Sequence, residues 1–177
     1  MGRVTVAVTQ REVFGYTGRS LDSLYANPGL PFDLVYVDGG SPRAIRELIE
    51  QRAKRHGFRV LRRERFLAPN EARNLALDAG SSEYVAFVDN DVVFGAEWLA
   101  RLVACADETG AEVVGPLVCH GDPPFISVHL AGGEARLEDT PAGRRGRAGA
   151  RARAGRDARI ALHARAAHAL RSNRAFR

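Results

Sequence analysis

The sequence predicts an α/β fold with a mostly parallel sheet flanked by helices. Three observations carry that reading. Short β-branched or aromatic runs alternate with segments of helical periodicity along the first 118 residues. The run Tyr84-Val85-Ala86-Phe87-Val88 is apolar throughout, as expected of a strand covered on both faces. Two of the runs end in acidic residues, Asp38 and the pair Asp89 and Asp91, and strand ends are where such sheets hold their ligands.

Taken in order, Val4-Thr5-Val6-Ala7-Val8 is the first strand. Residues 17–26 follow with Leu21, Leu24 and Tyr25 at helical spacing, and Asn27-Pro28-Gly29 ends that helix. Residues 32–37 form the second apolar run, closed by Asp38-Gly39-Gly40-Ser41. Pro42 suits the first turn of a second helix, with Ser41 as its N-cap, Ile45, Leu48 and Ile49 as its buried face and Gly57 as its stop. Residues 59–61 read as a third strand, and residues 70–79 as a helix ended by Gly80. After the fourth strand, over 84–88, a helix over 96–107 turns Trp98, Leu99, Leu102 and Val103 inward, and residues 112–114 begin a fifth strand. Cys105 and Cys119 lack metal-site spacing and are expected to be buried or half-buried small residues. His120 and His129 are expected to be ordinary surface or core histidines.

Charge divides the chain. Residues 1–140 hold 15 Lys and Arg against 20 Asp and Glu, a net of −5, whereas residues 141–177 hold 11 Arg and the single acid Asp157, a net of +10. A basic excess over a whole domain would suggest nucleic acid, but here that reading attaches only to the tail. Of the 37 residues from 141 to 177, 27 are Arg, Ala or Gly, a composition that cannot build a core alone. The tail is therefore expected to be poorly ordered and dispensable for a ligand site in the body, with residues 158–170 able to form a helix on Ala propensity. Its abrupt start near Ala142 is what a GC-rich gene yields when read out of frame. Residues 1–9 read as a strand rather than a leader, and no apolar run approaches 18 residues. The default location is the cytoplasm, with peripheral attachment to the inner membrane face as the alternative.

Three motifs point to chemistry. Asp89-Asn90-Asp91 places two carboxylates at the end of an apolar strand, where one can hold a hard divalent cation and the other a ribose hydroxyl. Taken alone, the same string is a polar turn. Asp38-Gly39-Gly40-Ser41 allows a tight turn and the close approach of a flat ring, with the Asp38 carboxylate able to accept an imide N–H; alone, it is a plain turn. Pro69-Asn70-Glu71-Ala72-Arg73-Asn74 puts Arg73 early on a helix, within reach of a phosphate or a base, or else paired with Glu71. No G-x-G-x-x-G and no Walker loop is present, which disfavours dinucleotide oxidoreductases and P-loop NTPases.

In this order and spacing, Leu34-Val35-Tyr36-Val37-Asp38-Gly39-Gly40-Ser41, Ala72-Arg73-Asn74-Leu75-Ala76-Leu77 and Glu83-Tyr84-Val85-Ala86-Phe87-Val88-Asp89-Asn90-Asp91 resemble the family 2 glycosyltransferases of the GT-A fold, over residues 4–118. The resemblance implies a Rossmann-like sheet, a nucleotide-diphosphate sugar as donor, UDP- or dTDP-linked, and transfer with inversion to an unknown acceptor. It implies nucleotide contacts from Thr9, Gln10, Glu12, Asp38, Arg73, Asp89 and Asn90, with Asp38 at the base. It also implies Mg²⁺ or Mn²⁺ on Asp91 and Asp89. Departures are present. One carboxylate of the usual Asp-Asp-Gly-Ser is missing, and the first strand ends Thr9-Gln10-Arg11-Glu12 where the family commonly has Pro-Thr-Tyr-Asn. No base carboxylate is found. The division that follows is a nucleotide-sugar-binding domain over 1–118, the start of an acceptor-side region over 119–140, begun by Gly132-Gly133-Glu134-Ala135, and the tail over 141–177, so that the family's second half is incomplete. Two other classes stay open: a non-catalytic nucleotide-sugar-binding module, and an interaction protein whose tail binds polyanions. No specific nucleic-acid partner is expected.

Overall fold

The computed structural model describes residues 2–10, 13–26, 28–121, 127–131 and 159–164. The elements run β1 (Val4–Thr9), a 3-10 turn (Phe14–Tyr16), α1 (Thr17–Ala26), β2 (Asp33–Gly39), α2 (Arg43–His56), β3 (Arg59–Arg63), α3 (Pro69–Ala79), β4 (Tyr84–Asp89), α4 (Trp98–Thr109), β5 (Leu117–His120), β6 (Ser127–Ala131) and β7 (Arg159–Ala164). Five strands form one sheet in the order β3-β2-β1-β4-β7, every pairing parallel, and β5 and β6 form a separate antiparallel pair.

The strand alternation sorts the core into two layers. Val4, Val6 and Val8 of β1, Leu34 and Tyr36 of β2 and Ala86 and Val88 of β4 pack with Leu21, Leu24, Ile49, Leu99 and Leu102 of α1, α2 and α4. On the opposite face Ala7, Val35, Val37, Val85 and Phe87 pack against Ala72 and Ala76 of α3. Both faces are thus covered, which is why β1 and β4 are apolar at nearly every position. A fully buried Leu or Val in these layers contributes about 1.5–3 kcal/mol.

The chain winds outward from β1 through β2 to β3, then returns to place β4 on the other side of β1. The strand order therefore reverses between β1 and β4. In open parallel sheets such a reversal leaves a crevice beyond the carboxyl ends of the two strands.

Several expectations are corrected. Ser41 does not cap α2: Pro42 holds the N-cap position with no side-chain cap bond, and the Ser41 hydroxyl is used elsewhere. Glu112 and Val113 are not in a strand, and Val114 makes only an isolated bridge; the next strand is β5, outside the main sheet. Arg159–Ala164 is a strand rather than a helix, paired with β4 from Tyr84↔Arg159 to Val88↔Ala164 with a bulge opposite Val85 and Ala86. Tertiary pairing overrides the helix propensity of alanine there. The other tail residues, and Gly132 to Ala135, lie outside the described residues. The boundary at 118 falls inside β5, and part of the tail joins the same sheet as the body.

Cys105 and Cys119 are exposed. Cys105 lies off the stripe of Trp98, Leu99, Leu102, Val103 and Ala106 that α4 buries, and Cys119 faces away from buried Val118.

Candidate functional site

The site is built at the carboxyl ends of β1, β2 and β4. Thr9 and Asp89 are register partners across the β1/β4 reversal, and Thr9 Oγ1 donates to Asp89 Oδ1 at 3.4 Å. Both are nearly inaccessible, with Asp89 at 4% exposure. Asp91 follows in the turn and is partly exposed. The structure thus brings the two expected carboxylates together but gives them unequal access.

Asn90 between them has a different place from the one expected. Its side chain is buried, and Nδ2 donates to Thr17 Oγ1 at 3.0 Å and to the Val13 carbonyl at 3.4 Å. It ties the acidic turn to the start of α1. Phe94 N–H donates to Ser23 Oγ at 3.1 Å, a second tie between this loop and α1. Asn90→Ala would leave the buried Thr17 hydroxyl and Val13 carbonyl without their donor, so we expect a loss of about 1–3 kcal/mol in urea unfolding. An unchanged midpoint would show that this tie contributes nothing.

Asp38 is wholly buried at the end of β2. Its Oδ1 accepts from the Ser41 N–H at 3.0 Å, and its Oδ2 from Arg62 Nε at 2.9 Å. Arg62 is its register partner on β3 and also donates to Glu50 of α2 at 2.6 Å. Contact with a base was expected of Asp38; in this geometry both of its oxygens are engaged in shaping the turn. That turn needs its glycines. Gly40 has φ +77°, and a Cβ on Gly39 would stand 3.0 Å from the Leu67 backbone nitrogen. Burial holds the Tyr36 phenol well above its usual range, and the nearby Asp38 and Asp91 carboxylates add to the effect.

Gln10 bridges β1 to the β2 turn. Its Oε1 accepts from the Ser41 hydroxyl at 2.9 Å and from the Gly39 N–H at 3.3 Å. Beside it opens a cleft lined by Gln10, Phe14, Val37, Gly39, Phe66, Leu67 and Ala72. Phe66 is 64% exposed at this cleft, an unusual position for so large an apolar ring. The sequence reading missed Phe14, Phe66, Leu67 and Arg62. An aromatic in a loop carries no periodic signal, and the Asp38–Arg62 pair is visible only once the β2/β3 register is known.

Arg73 stands one residue beyond Ala72, at the start of the second turn of α3, and donates to Asn70 Oδ1 at 3.3 Å. Glu71 pairs with Arg65 instead of Arg73, and this pairing holds the Glu71 carboxyl below its usual range. Glu12 lies outside the described residues. Among the described residues no three His, Cys, Asp or Glu side chains group as a metal site. Asp89 and Asp91 offer two carboxylates. That donor set suits a cation such as Mg²⁺, which takes one or two carboxylates and completes its shell with substrate phosphates and water.

A family model, Glycosyl transferase family 2, matches residues 5–158. The chain belongs to that family. The match runs past residue 118, where the motif resemblance ended, into the Arg/Ala/Gly-rich segment. The chain is 28% identical over 125 residues to the succinoglycan biosynthesis protein ExoM of Rhizobium meliloti (strain 1021), covering 68% of this chain and 40% of that protein. It is similar to the S. aureus TarS 1-349 structure, with 25% identity, a TM-score of 0.57 and coverage of 72% of this chain and 38% of TarS 1-349. The same fragment in complex with UDP-GlcNAc gives 26% identity and a TM-score of 0.55, covering 64% of this chain and 35% of the fragment. This glycosyltransferase-family chain therefore spans well under half the length of these relatives. Its mostly parallel sheet flanked by helices matches the GT-A fold of TarS. Among the described residues no helix is long and apolar enough to cross a membrane.

Proposed function

We propose that this chain binds a nucleotide-diphosphate sugar, UDP- or dTDP-linked, at the carboxyl ends of β1, β2 and β4, as the donor half of an inverting glycosyl transfer. The observation that carries the reading is the pairing of Thr9 with Asp89 at the β1/β4 reversal, with Asp91 beside them. The TarS neighbours, solved with UDP-GlcNAc and with UDP, support a nucleotide sugar as ligand. In this reading the apolar cleft beside Gln10 takes the base. Asp89 meets the ribose, and Arg73 approaches the base or the diphosphate. Asp91, with Asp89, shares a Mg²⁺ or Mn²⁺ with the diphosphate, where the cation stabilises the departing nucleoside diphosphate. Asp38 and Asn90 act through the turns they hold. The acceptor and the general base are not assigned.

Thermal unfolding with UDP, with and without Mn²⁺, tests the reading. A ligand of the folded state raises the melting temperature by mass action, and the shift should be larger with the metal. No shift with UDP or TDP at millimolar concentration, in either condition, would overturn it. Release of UDP from a UDP-sugar then separates a transferase from a binding module, which would bind without turnover.

A further inference from the structure

The orientation of one amide at the cleft says more about the ligand than the acidic residues do. Gly39 N–H can only donate, so the group of Gln10 that faces it must be the amide oxygen, and the Ser41 hydroxyl donates to the same atom. Two donors from the β2 turn therefore fix the side chain one way round. The NH₂ group is left as the end free to meet a ligand in the cleft that Gln10 lines. Phe14, Val37, Phe66, Leu67 and Ala72 offer no polar side chain there, and Gly39 has none. Asp38 has both oxygens engaged and no exposed surface. Among the described residues the cleft is thus a slot with apolar walls, including an exposed aromatic ring, and a single side-chain donor.

We infer that Gln10 is the base-selecting residue of this site: its amide nitrogen, held by Ser41 and Gly39, donates to a ring carbonyl and so selects a pyrimidine with oxygen at the position where cytosine carries an amine. The inference rests on the proposed nucleotide site and names its specificity. A uracil or thymine oxygen there accepts the hydrogen bond. A cytosine amine presents a second donor to the first and leaves both unpaired, which costs more than a missing bond. Ser41 is a positioning residue in this scheme. It touches no ligand and acts by keeping the amide from turning over.

The test is the ratio of UDP to CDP affinity, measured by calorimetry on the full chain with Mn²⁺ present. The wild-type protein should favour UDP by about tenfold, the worth of one hydrogen bond of about 1.4 kcal/mol. Gln10→Glu keeps an oxygen for Ser41 and Gly39 but replaces the donor by an acceptor, and should level or reverse the ratio. Any uniform loss from the added charge cancels in a ratio. Ser41→Ala leaves the amide held only by the 3.3 Å bond from Gly39 and should narrow the ratio while both nucleotides still bind. A wild-type protein that binds UDP and CDP equally, or a Gln10→Glu protein that keeps the wild-type ratio, overturns the inference and leaves the nucleotide site standing. If Gln10→Glu fails to fold by circular dichroism, Ser41→Ala decides: an undiminished preference overturns the inference, a narrowed one supports it. A wild-type protein that binds neither nucleotide removes the site itself.

Discussion

Asp91→Ala should abolish the metal-dependent part of UDP binding and leave the fold intact. Asp91 is partly exposed in the turn after β4 and belongs to neither core layer. Its removal therefore opens no cavity in either core layer, and the stability of the protein without ligand should change by no more than about 1 kcal/mol. Asp89 should not hold the cation by itself, since it is recessed and one of its oxygens already accepts from Thr9. A divalent cation left with diphosphate oxygens and water alone loses its anchor to the protein. Addition of Mn²⁺ should then give the variant no extra thermal shift with UDP, whereas the shift seen in EDTA should match that of the wild-type protein. A full Mn²⁺-dependent shift in the variant would place the metal elsewhere. Asp89→Ala makes a useful contrast, because removing a buried, bonded carboxylate should lower stability as well as binding.

What the sequence makes legible is what its periodicity encodes. β1 and β4 are recognisable because strands covered on both faces are apolar at nearly every position. α1, α2 and α4 are recognisable because each buries one stripe against a sheet face, and the stops at Gly57 and Gly80 fall where the helices end. The acidic residues at strand ends are equally plain. Other features depend on register and direction, which a string of residues does not carry. Asp38 and Arg62 are 24 positions apart and meet only because β2 and β3 pair in parallel with these two opposite each other. Nothing in Asp89-Asn90-Asp91 says that its middle side chain turns inward to Thr17. The orientation of Gln10 follows from a backbone N–H at Gly39, not from any motif. β5 and β6 are short, and exposed Leu117 and Val128 give them no clean alternation of apolar and polar residues.

β7 is the instructive case for the body as well as the tail. Its Ile160 and Leu162 alternate with Ala161 and His163, but the period is hidden in an alanine-rich surround that favours helix locally. The structure pairs this strand with β4, the strand that delivers Asp89. A chain ending at Ala158 should therefore lose stability, contrary to the expectation that the tail is dispensable. The ladder runs through five registered pairs. Its removal should cost more than a surface substitution does, beyond about 0.5 kcal/mol. It also turns β4 into an edge with unpaired backbone groups, a template for association between copies. The shortened chain should melt earlier, lose hydrogen-exchange protection at the amides of Tyr84–Asp89 before those of β2, and aggregate more readily on warming. UDP binding should weaken with it, because β4 positions the carboxylates. Unchanged protection in β4 together with an unchanged melting temperature would show that Arg159–Ala164 adds nothing to the sheet, and the tail would then be dispensable after all.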